Sequence, residues 1–199
     1  MTGNGFEIEV FVGGAIREVL NTIAGLRLEV FREFPYLYDG TMESEERYLS
    51  GFAEDEASIC VIAKVNGKVV GISTGAPLKS EDQAYRGPFQ RHGYDLSKIF
   101  YYGESVVRKG YRGMGIGNRF MEEREAHVRR LGRFDFVTFF VVERPPNDYR
   151  RPQDYFSPEG LWDRWGFRKH PELNTVFSWK EVGEEQETPK PMDFWLKYL

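Results

Sequence analysis

The sequence holds one cysteine, Cys60, among 199 residues. An internal disulfide is therefore excluded, and the apolar neighbours of Cys60 make it a buried small side chain in a reducing compartment. No apolar run reaches the ~18 residues that a membrane span needs. Residues 1–9 lack the basic and apolar regions of a secretion signal, so a soluble cytoplasmic protein is expected. Positive charge is not in excess: the net charge is −4, which disfavours nucleic acid as a partner. Of the three histidines, His92, His127 and His170, none has a metal-ligand partner at useful spacing, and no metal site is expected. Ser105 lacks the G-x-S-x-G elbow of a hydrolase. With no repeat, low-complexity tract or linker, one domain over 1–199 is expected.

Aromatic side chains are plentiful, at 16%, and argue for a packed core with aromatic-lined cavities. Residues 6–12 alternate as an early or edge strand, and 16–34 keep helical spacing with a bend near Gly25. A second helix is expected over 44–52. The runs 58–65 and 68–76 flank Asn66-Gly67, the favoured type I′ hairpin signal. After a polar excursion over 79–97 with room for a short helix, 134–142 reads as a strand covered on both faces. A proline-, arginine- and tyrosine-rich loop, 143–158, leads to a short helix ended by Gly166. Strands at about 175–180 and 192–196 complete the sheet, with 183–190 as a solvent loop between them.

The chain is organised around residues 99–117, IFYYGESVVRKGYRGMGIG, which read as strand, turn and the start of a helix. Gly113, Gly115 and Gly117 remove side chains where a helix exposes its unpaired N–H groups and positive dipole end, an arrangement suited to a phosphate. Arg112 adds formal charge beside it. A nucleotide P-loop needs Gly-Lys-Ser/Thr, which is absent. A dinucleotide fingerprint needs G-x-G-x-x-G and an acid ending the next strand, whereas Asp135 falls at the start of that strand.

The order Arg112-x-x-Gly115-x-Gly117 resembles the acetyl-CoA signature of the GNAT N-acetyltransferase superfamily, R/Q-x-x-G-x-G/A. Residues 104–111 look like that family's central strand and turn, and 161–167, LWDRWGF, resemble its late L-Y-x-x-x-G-F segment. The resemblance implies an α/β GNAT fold: a mixed, mostly antiparallel sheet splayed at the central strand, with helices on both faces. It implies acetyl-CoA as cosubstrate. Main-chain groups of Val106, Val107 and Arg108 would bond the acetyl carbonyl and pantetheine. Those of Arg112, Gly113, Met114, Gly115, Ile116, Gly117 and Asn118 would hold the pyrophosphate. The plainer alternative for the glycines is a tight strand-to-helix turn.

Acetyl transfer to an amine needs a proton acceptor, a polarised carbonyl and a proton for the departing thiolate. Glu104 stands where the family often places the accepting carboxylate; its alternative is a salt-bridge partner on an exposed face. The family's acidic tyrosine is replaced by Trp162, whose indole N–H is too weak an acid. Tyr155, Tyr149, a nearby tyrosine or water is left to protonate the thiolate. On the acceptor side the resemblance brings in Tyr36, Tyr38 and Asp39 with Glu43, Glu45 and Glu46, a set suited to a cationic amine. Arg144, Arg150 and Arg151 point instead to CoA phosphates or an acidic acceptor. The expected partner is a small-molecule primary amine, without nucleic acid or membrane, and a homodimer is left open. Two further readings stand beside it: a non-catalytic acetyl-CoA-binding sensor of the same fold, and a redox or nucleotide-binding enzyme.

Overall fold

The computed structural model describes residues 5–49 and 51–199. One seven-stranded sheet runs through it in the order β1-β2-β3-β4-β5-β7-β6. These are β1 (Glu7–Val12), β2 (Ile59–Val65), β3 (Lys68–Pro77), β4 (Ile99–Val107), β5 (Phe136–Val142), β6 (Arg168–Trp179) and β7 (Thr188–Tyr198). Among the described residues only β4 and β5 pair in parallel. Asn66 and Gly67 both adopt positive φ, 50° and 75°, making the tight turn their sequence signals.

The helices are α1 (Leu20–Phe31), α2 (Met42–Leu49), α3 (Gln83–Arg91), α4 (Ile116–Leu131) and α5 (Glu159–Arg164). Strand alternation sorts the core onto two faces. Cys60, Ile62, Ile72 and Val106 pack with Ile16 and with Ile23 and Leu26 of α1. Val61, Ala63, Val70 and Phe100 pack on the other face with Phe120 and Met121 of α4.

Three expectations need correction. The first helical stretch does not bend at Gly25, an exposed position inside α1; it breaks earlier, where a 3-10 helix, Gly13–Val19, meets Leu20. The second helix is α2, followed by a 3-10 turn, Phe52–Glu54; the expected span 44–52 crosses Ser50, which lies outside the described residues. Residues 1–4, part of the leader reading, also lie outside them. The last two strands are far longer than expected: β7 begins inside the expected 183–190 loop, and the prolines of both strands are accommodated. Pro171 falls in the irregular stretch between His170 and Asn174. Pro189 and Pro191 precede Met192, where the β5 ladder on β7 ends, so their missing N–H groups interrupt no second ladder.

The sheet is split at its centre. β4 and β5 pair only at Ile99–Phe136, Phe100–Val137 and Tyr101–Thr138. Beyond Tyr101, β4 follows β3 while β5 follows β7. β4 is also bulged: Ser73 faces Ser105 and Gly75 faces Tyr102, so Gly103 and Glu104 together oppose Thr74. Tyr102 points to α4, where its ring lies 4.1 Å from the Arg124 guanidinium. Glu104, two residues on, would share that face in a regular strand. The extra residue turns it, with Val106, toward α1 and α2. Gly103 permits the bulge, since a Cβ there would overlap the Thr74 hydroxyl.

Candidate active site

Glu104 is 6% exposed and its carboxylate is held from three elements. Oε1 accepts from Arg27 Nη1 of α1 and from the Tyr48 hydroxyl of α2 at 3.1 Å. Oε2 accepts from the Thr74 hydroxyl of β3, whose oxygen also takes the Glu104 backbone N–H at 2.9 Å. Arg27 Nε donates to Glu45, the inward member of the acidic cluster. Its guanidinium lies 4.3 Å from the Tyr48 ring centroid and 5.0 Å from that of Phe31. Burial acts to lower the Arg27 pKa, but Tyr48 and Glu45 outweigh it and the net direction is up. The guanidinium is charged throughout the working range. Around it, burial pushes the hydroxyls of Tyr36, Tyr85 and Tyr101 upward, and that of Tyr48, a residue 40% exposed, shifts the same way at its inward-facing end, so all four remain O–H donors.

The glycine turn lies at the end of β4. Gly113 and Gly115 adopt φ of 81° and 88°, a region costly for any side chain, and Gly115 caps α4. The first N–H groups of α4 have no carbonyl within their own helix. Gly117 packs under α5: a Cβ there would meet Leu161 at 3.3 Å. Asn118 Oδ1 accepts from Trp165 Nε1 at 3.1 Å, fixing α5 to α4. Ile116 is buried and Met114 is 37% exposed. Arg112 Nε donates to the Val107 carbonyl at 2.9 Å, and its Nη2 pairs with Glu33 at 2.7 Å.

Arg108 N–H bonds Val70 across the β3 ladder at 2.9 Å. In an antiparallel ladder the main-chain groups alternate sides, so those of Val107 face the split while those of Val106 and Arg108 face β3. The Arg108 side chain is spent on Glu29 and the Val69 carbonyl. A cleft of about 250 Å³ lies beside the split, lined by Phe34, Val141, Tyr155, Trp162 and Trp195 among others. Trp162 packs on Phe139 and Trp195 with centroids 5.0 and 5.1 Å away. Tyr155 stands edge-on to Phe34 at 4.8 Å, and burial raises its pKa against the opposing pull of Arg151 and Arg112.

The sequence profile of the "Acetyltransferase (GNAT) family" matches residues 26–152. The chain belongs to the GNAT acetyltransferase family. No match emerges among curated protein sequences. Among solved structures, the GNAT fold is shared with a ribosomal-protein-alanine N-acetyltransferase from Brucella melitensis, at TM-score 0.61 and 13% identity over 96% of this chain and 99% of that one. A GNAT acetyltransferase from Streptococcus pneumoniae aligns at TM-score 0.58 and 17% identity, covering 97% and 100%. One from Elizabethkingia anophelis, solved with acetyl-CoA bound, aligns at 0.54 and 13%, covering 98% and 99%. At such identities the likeness to these structures is one of fold.

Within this GNAT fold the expected acceptor residues separate. Tyr36 joins the aromatic wall, 4.6 Å from Phe31 and 6.1 Å from Trp179. The Tyr38 hydroxyl bonds Ser44 at 3.0 Å, and its pKa is raised by burial and by Glu45. Asp39 faces outward, its charge taken by Arg32 and by Lys180 at 3.1 Å. Arg144 and Arg150 converge on buried Glu181 at 2.5 Å each, so they brace the 143–158 loop. Arg151 lies over Tyr155 at 5.2 Å.

Sequence reasoning missed Arg27, Tyr48 and Thr74. A signal for Arg27 existed: it falls four residues after Ile23 and four before Phe31, a charge inside an apolar helical stripe. Thr74 carried none, since its role depends on the bulge. Among the described residues no cluster of three or more His, Cys, Asp or Glu is placed to hold a metal. No helix among them is long and apolar enough to cross a membrane.

Proposed function

We propose that this protein transfers an acetyl group from acetyl-CoA to the primary amine of a small acceptor. The observation that carries the reading is one carboxylate, Glu104, aimed by a bulge onto the α1–α2 face at the mouth of a split sheet whose next turn holds Gly113 and Gly115 at positive φ. The residues fit acetyl-CoA: two glycines at positive φ leave room for phosphate oxygens, and the split leaves a strand edge unpaired. Bound there, acetyl-CoA supplies the activated acyl group.

The chain's own residues do the rest. N–H groups from Gly113 to Asn118 hold the pyrophosphate; the Arg112 N–H is taken by the Lys109 carbonyl at 3.3 Å, and its guanidinium, shared with Glu33, lies beside the turn. The Val107 N–H, facing the split, orients the pantetheine arm. Glu104 accepts the proton of the acceptor ammonium, directly or through water, and leaves a neutral amine whose lone pair can attack. The Tyr155 hydroxyl, kept protonated by burial, supplies the proton at the sulfur end, with water as the other source. Trp162 closes the cleft against solvent.

A second reading has its own support. Trp162 replaces the tyrosine of the family segment, and Glu104 is already engaged by Arg27; both suit a protein that binds acetyl-CoA without turnover. A panel of neutral, cationic and acidic primary amines, assayed for thiol release from acetyl-CoA, separates the two. Turnover with at least one amine, lost by roughly 10²-fold in Glu104→Gln, supports transfer. Stabilisation by acetyl-CoA with no thiol release from any amine moves the assignment to the sensor.

A further inference from the structure

Glu104 does not own its arginine. One guanidinium, that of Arg27, faces two buried carboxylates: Nε donates to Glu45 and Nη1 to Glu104. Glu45 is 1% exposed, so the three side chains form a buried unit with one more negative than positive charge. The other groups facing Glu104 are neutral donors, the Tyr48 hydroxyl from α2 and the Thr74 hydroxyl from β3. On α4, Arg124 reaches the Thr74 carbonyl at 3.3 Å. Tyr85 of α3 lies against Tyr48, Tyr101 of β4 senses Tyr48, Glu81, Tyr36 and Arg27, and the Glu81 carboxylate acts on Tyr48 as well. Among the described residues Arg27 is the one cation paired with Glu104.

A carboxylate bound to a guanidinium of its own is a poor proton acceptor, because the adjacent cation favours the ionised form. A second carboxylate on the same guanidinium acts in the opposite direction. The Glu45 carboxylate acts also on Tyr38, whose pKa burial and this carboxylate both raise, so its charge reaches beyond Arg27. We infer that Glu45 is a positioning residue for the reaction: by sharing Arg27 it leaves Glu104 able to take the acceptor's proton. The inference rests on Glu104 as the proton acceptor, and it assigns Glu45 and Arg27 a role in tuning that group.

The test follows the Glu104 carboxyl by carbon-13 NMR in protein labelled at glutamate, with Glu104→Gln identifying the signal. It needs neither acceptor nor acetyl-CoA. Glu45→Gln keeps volume and hydrogen-bonding capacity, and the Glu104 midpoint is expected to fall by about one pH unit. Arg27→Gln should move it up, and the double variant should fall between that value and wild type. Thiol release with the best amine of the panel should fall about tenfold in kcat for Glu45→Gln, with the acetyl-CoA KM unchanged. Partial recovery in the double variant would support the sharing mechanism. A midpoint unmoved by Glu45→Gln in a folded protein overturns it, as does a double variant slower than both singles. If Glu104→Gln itself keeps full turnover, the proton-acceptor assignment fails first and the inference falls with it.

Discussion

Glu81→Gln is expected to stabilise the protein at neutral and alkaline pH and to do little under acid conditions. Glu81 lies where the chain leaves β3, between a 3-10 turn, Leu78–Ser80, and α3. Burial first, then the negative charges of Asp82 and Asp55, push its carboxyl up to about 7 from an ordinary 4.5. Because the folded value lies above the unfolded one, the native state keeps a proton that the unfolded chain releases. The associated stability is full below about 4.5, falls as pH rises through the window, and is gone above about 7. The gap, at about 1.4 kcal/mol per pH unit, sets a ceiling of about 3 kcal/mol. Glu81 keeps some solvent contact, which screens part of this and leaves about 2 kcal/mol. Glutamine stays neutral throughout, so the variant lacks this slope. Urea unfolding of both proteins at half-unit steps from pH 5 to 8 isolates the difference, since His127 and every other titrating group is common to both. Curves that stay parallel across the window would refute the burial argument.

Three further outcomes follow from the geometry. Gly115→Val at φ 88° should cost about 1–2 kcal/mol in strain and abolish the rise in melting temperature produced by acetyl-CoA; full retention of that rise would remove the turn as the phosphate site. Tyr155→Phe should lower kcat about tenfold without changing the KM for the amine if its hydroxyl supplies the thiolate proton, and unchanged kcat assigns that proton to water. Asp39→Asn should leave the KM for cationic amines unchanged, because Arg32 and Lys180 already neutralise the carboxylate; a several-fold rise would return Asp39 to the acceptor site.

Much of this protein was legible in its residues, and the reason is that the legible parts are local. Asn66-Gly67 specifies a turn by its own dihedral preferences, and Gly113 and Gly115 permit positive φ whatever surrounds them. The signature 104–117 also identified the family, because it encodes a strand-to-helix junction in consecutive residues. What only tertiary structure decided is long-range. The sequence cluster of Glu43, Glu45 and Glu46 offers three equivalent acids, yet helix register buries Glu45 and leaves the other two exposed. The end of the expected 183–190 loop belongs to β7, because its prolines lie beyond the β5 ladder where no second partner needs their N–H groups. Glu104 itself was found from sequence, but its neighbours were not. A one-residue bulge against Thr74 reverses its face, and that reversal brings it to Arg27, 77 positions away in the chain. Strand alternation read along one segment cannot reveal such a bulge, because the extra residue exists only in relation to the strand beside it.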